Sequence, residues 1–332
     1  MKRHIFRQGL NGLRLGLGLA LLGCTTATAF AQNPAAGYPS KPIRIIVGYT
    51  PGGANDILAR LVGQKMSETF GQQVIVENRP SAGAVVGTDA VAKAAPDGYT
   101  LTMGASGPIV FNPSLYAKLP YDAVRDLAPV SMVGSFPLIL VVQASSPHRS
   151  VNELAAHSRA NPSKSNYSAS AASFRLATEL LKNKAGISAD HIPYKGSAPA
   201  VQAVVSGEVL MTLVDSGPAA GAIKGGLLRG LAVTSAKRMP LLPDIPTMAE
   251  QGVDLQITLW SGLLAPAGTP PAIIRKLQTE VARIVKLPDV RDRMLQLGIE
   301  PEGSTPEEFA RVIATEIPLW MGVAKANNIQ PE

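Results

Sequence analysis

Short β-branched runs alternate with helix-patterned segments along most of this 332-residue chain, and that alternation restricts the fold more than any other feature. Ile43-Arg44-Ile45-Ile46-Val47 reads as a buried strand, and after "GYTPGGAND" the residues Ile57, Leu58, Leu61 and Val62 recur at helical spacing through "DILARLVGQKMSETF". Val74-Ile75-Val76 predicts the next strand, "SAGAVVGTDAVAKAA" a helix, and "YTLTMG" a third strand after the turn Pro96-Asp97-Gly98. A second block then begins: "VNELAAHSRAN" predicts a helix, "SNYSAS" a strand and turn, "FRLATELLKNKAG" a helix and "HIPYKG" a strand. It continues with the helix "APAVQAVVSGE", the strand "VLMTLVD", a helix around "PAAGAIKGG" and the strand "RGLAVTS". Strands and helices in this order build βαβ units and a mainly parallel sheet.

The tail holds one strand, "LQITLWSGLLAP", and three helices, the last starting at a capping box formed by Thr305, Pro306 and Glu308. These helices need a sheet to cover, and both α/β blocks precede them. The expected arrangement is therefore two-lobed, with a first lobe over 38–138, a second over 139–248, and 249–332 returning to the first. No Ser/Gly-rich linker separates the blocks, so the crossings between lobes are short and structured, with a cleft beside them.

The first residues carry Lys2, Arg3, Arg7 and Arg14, then the apolar stretch "LGLGLALLG" and the site Ala29-Phe30-Ala31. That order predicts a signal peptide over 1–31; the apolar run is too short to span a bilayer well. Leu21-Leu22-Gly23-Cys24 also fits a lipobox, in which Cys24 would carry a lipid anchor. Loss of 1–31 leaves 27 basic against 24 acidic residues and no cysteine, so the high isoelectric point gives no reason to expect nucleic acid, and the core must stand without disulfides. The predicted mature chain is exported and soluble.

In open α/β sheets, ligands sit beyond the carboxyl ends of strands, where helix N-termini present free backbone amides. In "TPGGAND", Pro51 fixes φ, Gly52 and Gly53 let the backbone approach a ligand, and Asn55 or Asp56 can cap the helix. One reading is an anion grip; the plainer one is a tight βα turn. The loops "GASGP", "SASAAS", Tyr194-Lys195-Gly196-Ser197 and Asp215-Ser216-Gly217 share the same small, polar character, which favours a pocket of backbone donors and hydroxyls.

"YPSKPIRIIVGYTPGGANDILAR", "VENRPSAGAVVGTDAVAKAAPDGYTL", "IPYKGSAPAVQAVVSGEV", "LPDIPTMAEQGV" and "LWSGLLAPAGTPPAIIRKL" together resemble the substrate-binding proteins of tripartite tricarboxylate transporters, the TctC or Bug family. The resemblance runs from Tyr38 to the end. It implies a type II periplasmic binding protein: two Rossmann-like lobes with mixed, mainly parallel sheets, joined by two crossing segments and closing over a small organic carboxylate. Carried over by position, it places Thr50, Pro51, Gly52, Gly53 and Asp56 at one carboxylate, partly through water, with Ala105 and Ser106 beside them. The second lobe would contribute Ser168, Ala169, Ser170, Tyr194, Lys195 and Gly196, with Asp215 at the rim. The chain departs from the family pattern at Ser81 and Ala84, where "NRPGAGG" is usual, and at Arg175, where many members carry His. Arg175 is expected either in a surface salt bridge or at a second carboxylate of the ligand.

The partner implied is the pair of transporter membrane subunits, with a sensor kinase as the alternative, and the protein is expected to act as a monomer. An enzyme is the weaker reading. His148, His157 and His191 show no metal-ligand spacing, and there is no G-x-S-x-G elbow or phosphate-binding P-loop, so neither a catalytic residue, a metal nor a cofactor is expected. Aromatic residues make up 5%, which argues against a sugar platform of stacked rings. Mono-, di- and tricarboxylates, acidic amino acids and aromatic acids all remain open as ligands.

Overall fold

In the computed structural model, which describes residues 35–169, 171–194 and 197–331, the expected alternation is present. The expected signal peptide and Cys24 lie outside the described residues. Strands β1 (Ile43–Val47), β2 (Val74–Asn78) and β3 (Thr100–Ala105) are parallel, with β1 between the other two, and are joined through helices α1 (Ala54–Phe70) and α2 (Val85–Ala92). The run that follows contains an element the alternation does not announce: β4 (Leu127–Gln143), a strand of 17 residues. Pro129, Gly134 and Pro137 interrupt its sequence, which makes it look like a string of loops. The strand tolerates them because its register shifts between Pro129 and Ser131 and again between Met132 and Gly134.

Beyond β4 come α3 (Val151–Ala160), β5 (Asn166–Ala169), α4 (Ala172–Ala185), β6 (Asp190–Pro193), α5 (Ser197–Val205), β7 (Met211–Asp215), α6 (Ser216–Lys224) and β8 (Leu228–Val233). The chain ends with β9 (Thr258–Pro266), α7 (Pro271–Ile284), α8 (Pro288–Gln296), the short β10 (Glu300–Pro301) and α9 (Pro306–Ala326). The sheet is mixed. Its βαβ units are parallel, whereas every pairing made by β4 or β9 is antiparallel. The strand β4 serves both halves: Leu127 to Pro137 pair with β9, and Leu138 onward pairs with β7 and β8.

The chain crosses between halves at Pro137–Leu138 and again where Ile257 leads into β9. One buried side chain ties these two passages together. Thr234 Oγ1 accepts from Leu138 N at 2.8 Å and donates to Ile257 O at 2.5 Å. Ile257 N in turn donates to Thr234 O at 3.0 Å. Nothing in the pattern "AVTS" singles out this threonine.

The tail helices cover the first half-sheet. The predicted capping box starts α9, with Glu308 N donating to Thr305 Oγ1 at 3.2 Å and Thr305 N donating to Glu308 Oε2 at 2.8 Å. Along α9, Phe309 meets Trp260 edge-on at 4.9 Å and Trp320 stacks on Phe111 at 4.4 Å. The expected helix over 81–95 is shorter than its pattern: a 3-10 turn at Ala82–Ala84 precedes α2, because Gly83 (φ 56°) and Ala84 (φ 57°) are both left-handed. A non-glycine residue rarely adopts that conformation.

Candidate functional site

The turn between β1 and α1 is held from beneath by a buried carboxylate. Residues Thr50, Pro51, Gly52, Gly53 and Ala54 are all exposed, and Gly52 takes φ +88°, which a side chain would strain. Gly53 is the N-cap at φ −77°, with no side-chain cap bond, so the capping role expected of Asn55 or Asp56 is not filled. Asp56 instead reaches back one turn. Its Oδ2 accepts from Gly52 N at 2.9 Å and from Arg60 Nε at 3.1 Å, and its Oδ1 accepts from Asn78 Nδ2 at 2.9 Å. Asn78, the last residue of β2, also donates to Tyr49 O at 3.1 Å and accepts from Arg60 at 3.0 Å.

Burial works to raise the pKa of Asp56, which is 4% exposed, but the bonds from Arg60, Gly52 and Asn78 outweigh it and hold the carboxyl below the usual aspartate range. Asp56 is thus ionised, fully engaged and turned away from solvent. Its place under the loop suits positioning better than direct contact with an anion. The sequence signal for the clamp is the i, i+4 pair Asp56 and Arg60; the third member, Asn78, is brought in only by β1–β2 pairing. Asn55 has a separate task, accepting a hydrogen bond from Ser261 Oγ of β9.

The other expected residues divide into backbone at strand ends and side chains already engaged. Ala105 ends β3 opposite Ser261, and Ser106, 3% exposed, opens a π-helical turn at Gly107–Phe111. Ser168 is fully buried. Its Oγ donates to Ala200 O at 2.9 Å, binding α5 to β5, so its hydroxyl is directed into the interior. Tyr194 N donates to Ala169 O at 2.9 Å, while its ring packs against the cluster that includes Val201 and Val204. Asp215 pairs across the sheet with Leu138 at the crossing and accepts from Ser197 Oγ at 2.7 Å; burial pushes its pKa up. Ser170, Lys195 and Gly196 lie outside the described residues. Register therefore brings Ala105 opposite Ser261 and Asp215 opposite Leu138 at the crossing, whereas the Ser168 hydroxyl is committed to Ala200 and the Tyr194 hydroxyl is buried without a hydrogen-bond partner among the described residues.

Arg175 is the fourth residue of α4. Among the described residues no carboxylate stands within ion-pair distance of it, so the expected surface salt bridge is not formed. Its Nε is buried without a hydrogen-bond partner among the described residues.

Next to Ser106, Trp260 carries a second buried carboxyl. Trp260 N lies 3.5 Å from Ser106 Oγ, and Trp260 Nε1 donates to Glu316 Oε2 at 3.0 Å. Burial pushes the Glu316 carboxyl up to about 7, against the opposing indole N–H groups. The native state thus holds this proton more tightly than the unfolded chain, so its stabilising share is complete below the ordinary glutamate pKa and is lost as pH rises to about 7. Glu316→Gln keeps an acceptor for Trp260 and removes the titration. It is expected to gain on the order of 2 kcal/mol over the parent protein between pH 5 and pH 8. Urea unfolding across that range checks this, and parallel stability curves would refute it.

Residues 58–329 match the sequence profile of the tripartite tricarboxylate transporter family receptor. BugT of Bordetella pertussis is 37% identical over 313 residues, spanning 92% of this chain and 96% of that protein. A Rhodopseudomonas palustris protein solved with adipate is 34% identical and superposes with a TM-score of 0.77 over 89% of this chain and 100% of that one. MatC of the same organism, solved with bound malate, is 31% identical with a TM-score of 0.73, covering 86% and 99% of the two chains.

Proposed function

Because the chain belongs to the tripartite tricarboxylate transporter receptor family, whose members are solute-binding proteins, we propose that it captures a small organic carboxylate outside the cytoplasmic membrane. It then delivers that acid to a tripartite tricarboxylate-type transporter. The observation that carries this reading is the exposed turn at 50–54, braced by the Asp56, Arg60 and Asn78 clamp, at the start of a 17-residue helix. The first intrahelical bond of α1 is donated by Ile57 to Gly53, so the amides of Ala54, Asn55 and Asp56 precede the helical ladder. Such amides, together with the positive end of the helix dipole, suit a carboxylate oxygen.

In this reading the first lobe comprises 38–138 and 249–332, the second 139–248, and the pair closes on the ligand about Pro137–Leu138 and Ile257. The acid must bind the closed form better than the open one, since only differential affinity moves such an equilibrium. The strand ends at Ala105, Ala169 and Asp215 would form the walls. Adipate and malate, the ligands of the two related proteins, are both dicarboxylic acids.

The test is a thermal-shift series on the purified protein with carboxylic acids and their matched amides. A ligand at a hundred times its Kd adds about 2.7 kcal/mol to the folded state, a shift of several degrees. An acid that raises the melting temperature while its amide does not supports the reading; an equal shift from acid and amide defeats the carboxylate grip.

A further inference from the structure

We propose that Glu316 links capture of the acid to uptake of a proton, so that the protein binds its anion best when this carboxyl is protonated. This rests on the carboxylate-capture reading above. Glu316 is a positioning residue that acts through β9. Its Oε2 accepts from Trp260 Nε1 at 3.0 Å, and Trp260 N lies 3.5 Å from Ser106 Oγ. The next residue, Ser261, pairs with Ala105 and donates to Asn55 in the first turn of α1. Trp320, one turn along α9, stacks on Phe111 just beyond Ser106, and its indole N–H is buried without a hydrogen-bond partner among the described residues. Both indoles beside Glu316 thus touch the segment that opens at Ser106.

Little around Glu316 favours its ionised form. Strands β4 and β9 and the turns at 107–114, which pack against α9, contain no charged residue. On α4, Glu179 pairs with Lys182, Lys184 with Asp254, and Arg175 lies beside Tyr167 and His191. On α7, Glu280 pairs with Arg283, Lys276 donates to Tyr38 O, and Arg275 is exposed. α9 itself brings Glu308 and Arg311 to the shallow depression beside Glu316, and both are exposed to the screening of solvent. Burial therefore dominates and sets the proton of Glu316 to leave near neutral pH, at about 7. An ionised Glu316 leaves a bare negative charge in an apolar layer, and an arriving carboxylate adds a second. Two charges about 15 Å apart, in an effective dielectric of about 20, still bias each other's equilibria about sixfold. Linkage is reciprocal, so the bound acid raises the proton affinity of Glu316 by the same factor.

The experiment titrates the parent protein and Glu316→Gln by calorimetry in buffers of different ionisation enthalpy, which reads the protons taken up on binding. The probes are malate, succinate, glutarate and adipate. At pH 7 the parent is expected to take up about 0.3 proton per acid bound, and its Kd to weaken about fourfold from pH 6 to pH 8. Glu316→Gln should take up about 0.3 proton fewer and keep the tighter affinity across that range, because its amide stands in for the neutral carboxyl. A purely structural role would change the stability of this variant and leave proton uptake the same. Circular dichroism confirms that the variant is folded.

A parent that binds an acid but takes up no proton, or releases one, overturns the proton link by itself, whatever the variant does, while carboxylate capture stands. Equal proton uptake by parent and variant overturns it too, because the proton then goes to another group. So does loss of binding in a folded Glu316→Gln. Binding of none of these acids by the parent overturns carboxylate capture and this inference with it.

Discussion

Replacing Asp56 by alanine is expected to lower the unfolding free energy by about 2–3 kcal/mol and to weaken carboxylate binding at least tenfold. The substitution strips an acceptor from Gly52 N, Asn78 Nδ2 and Arg60 at once. A buried polar group left without its partner costs about 1–3 kcal/mol. Arg60 is half exposed and recovers water, so the loss comes mainly from Asn78 and the released turn. The affinity falls because Gly52 no longer holds φ +88° against a fixed carboxylate, and the turn must be ordered by the ligand itself. Urea unfolding and calorimetry with a bound acid check both figures; an unchanged affinity would remove the clamp from the binding site.

The same carboxylate gives this effect a pH signature. Its pKa is held low in the folded state, so its contribution is present above the unfolded value and is lost as pH falls through the folded one. The stability gap between the parent protein and Asp56→Asn should therefore close in acid, the opposite trend to that expected for Glu316.

The second large effect is steric. Gly48→Ala is expected to destabilise the protein by about 2 kcal/mol and to abolish ligand binding, although alanine is acceptable in most turns. A Cβ at Gly48 would stand 2.5 Å from Ala84 Cβ and 3.2 Å from Ala84 Cα, and Gly87 in the first turn of α2 is as close, with a Cβ there reaching 2.8 Å from Gly48 Cα. Neither neighbour is a flexible side-chain tip, so the backbone has to move, and it moves at the root of the 50–54 turn. Ala84 is itself in a left-handed conformation that costs it about 1–2 kcal/mol. The double variant Gly48→Ala, Ala84→Gly should thus recover about 1 kcal/mol beyond the sum of the single changes. Strict additivity would show that the two residues do not meet.

Much of the βα order is legible in the sequence because it rests on local rules: β-branched runs for buried strands, 3.6-residue spacing for helices, and Thr305 with Glu308 for the start of α9. The turn at 50–54 is legible for the same reason, since Pro51 and Gly52 declare their backbone preferences without help. What stays hidden is whatever depends on pairing between distant segments. The long β4 carries prolines that local rules read as breaks, and only bulged pairing with β9 makes it a strand. Thr234 looks like any strand-end threonine until Leu138 and Ile257 arrive on either side of it.

The residues around the candidate site divide along the same line. The sequence by itself determined which loops stand at strand ends, because that follows from chain order. Only the tertiary structure decided that Asp56 braces the turn through Asn78, that the Ser168 hydroxyl donates to Ala200, and that no carboxylate among the described residues pairs with Arg175. The physical reason is that a polar side chain goes to whichever partner burial and strand register bring within about 3 Å, and no run of neighbouring residues contains that information.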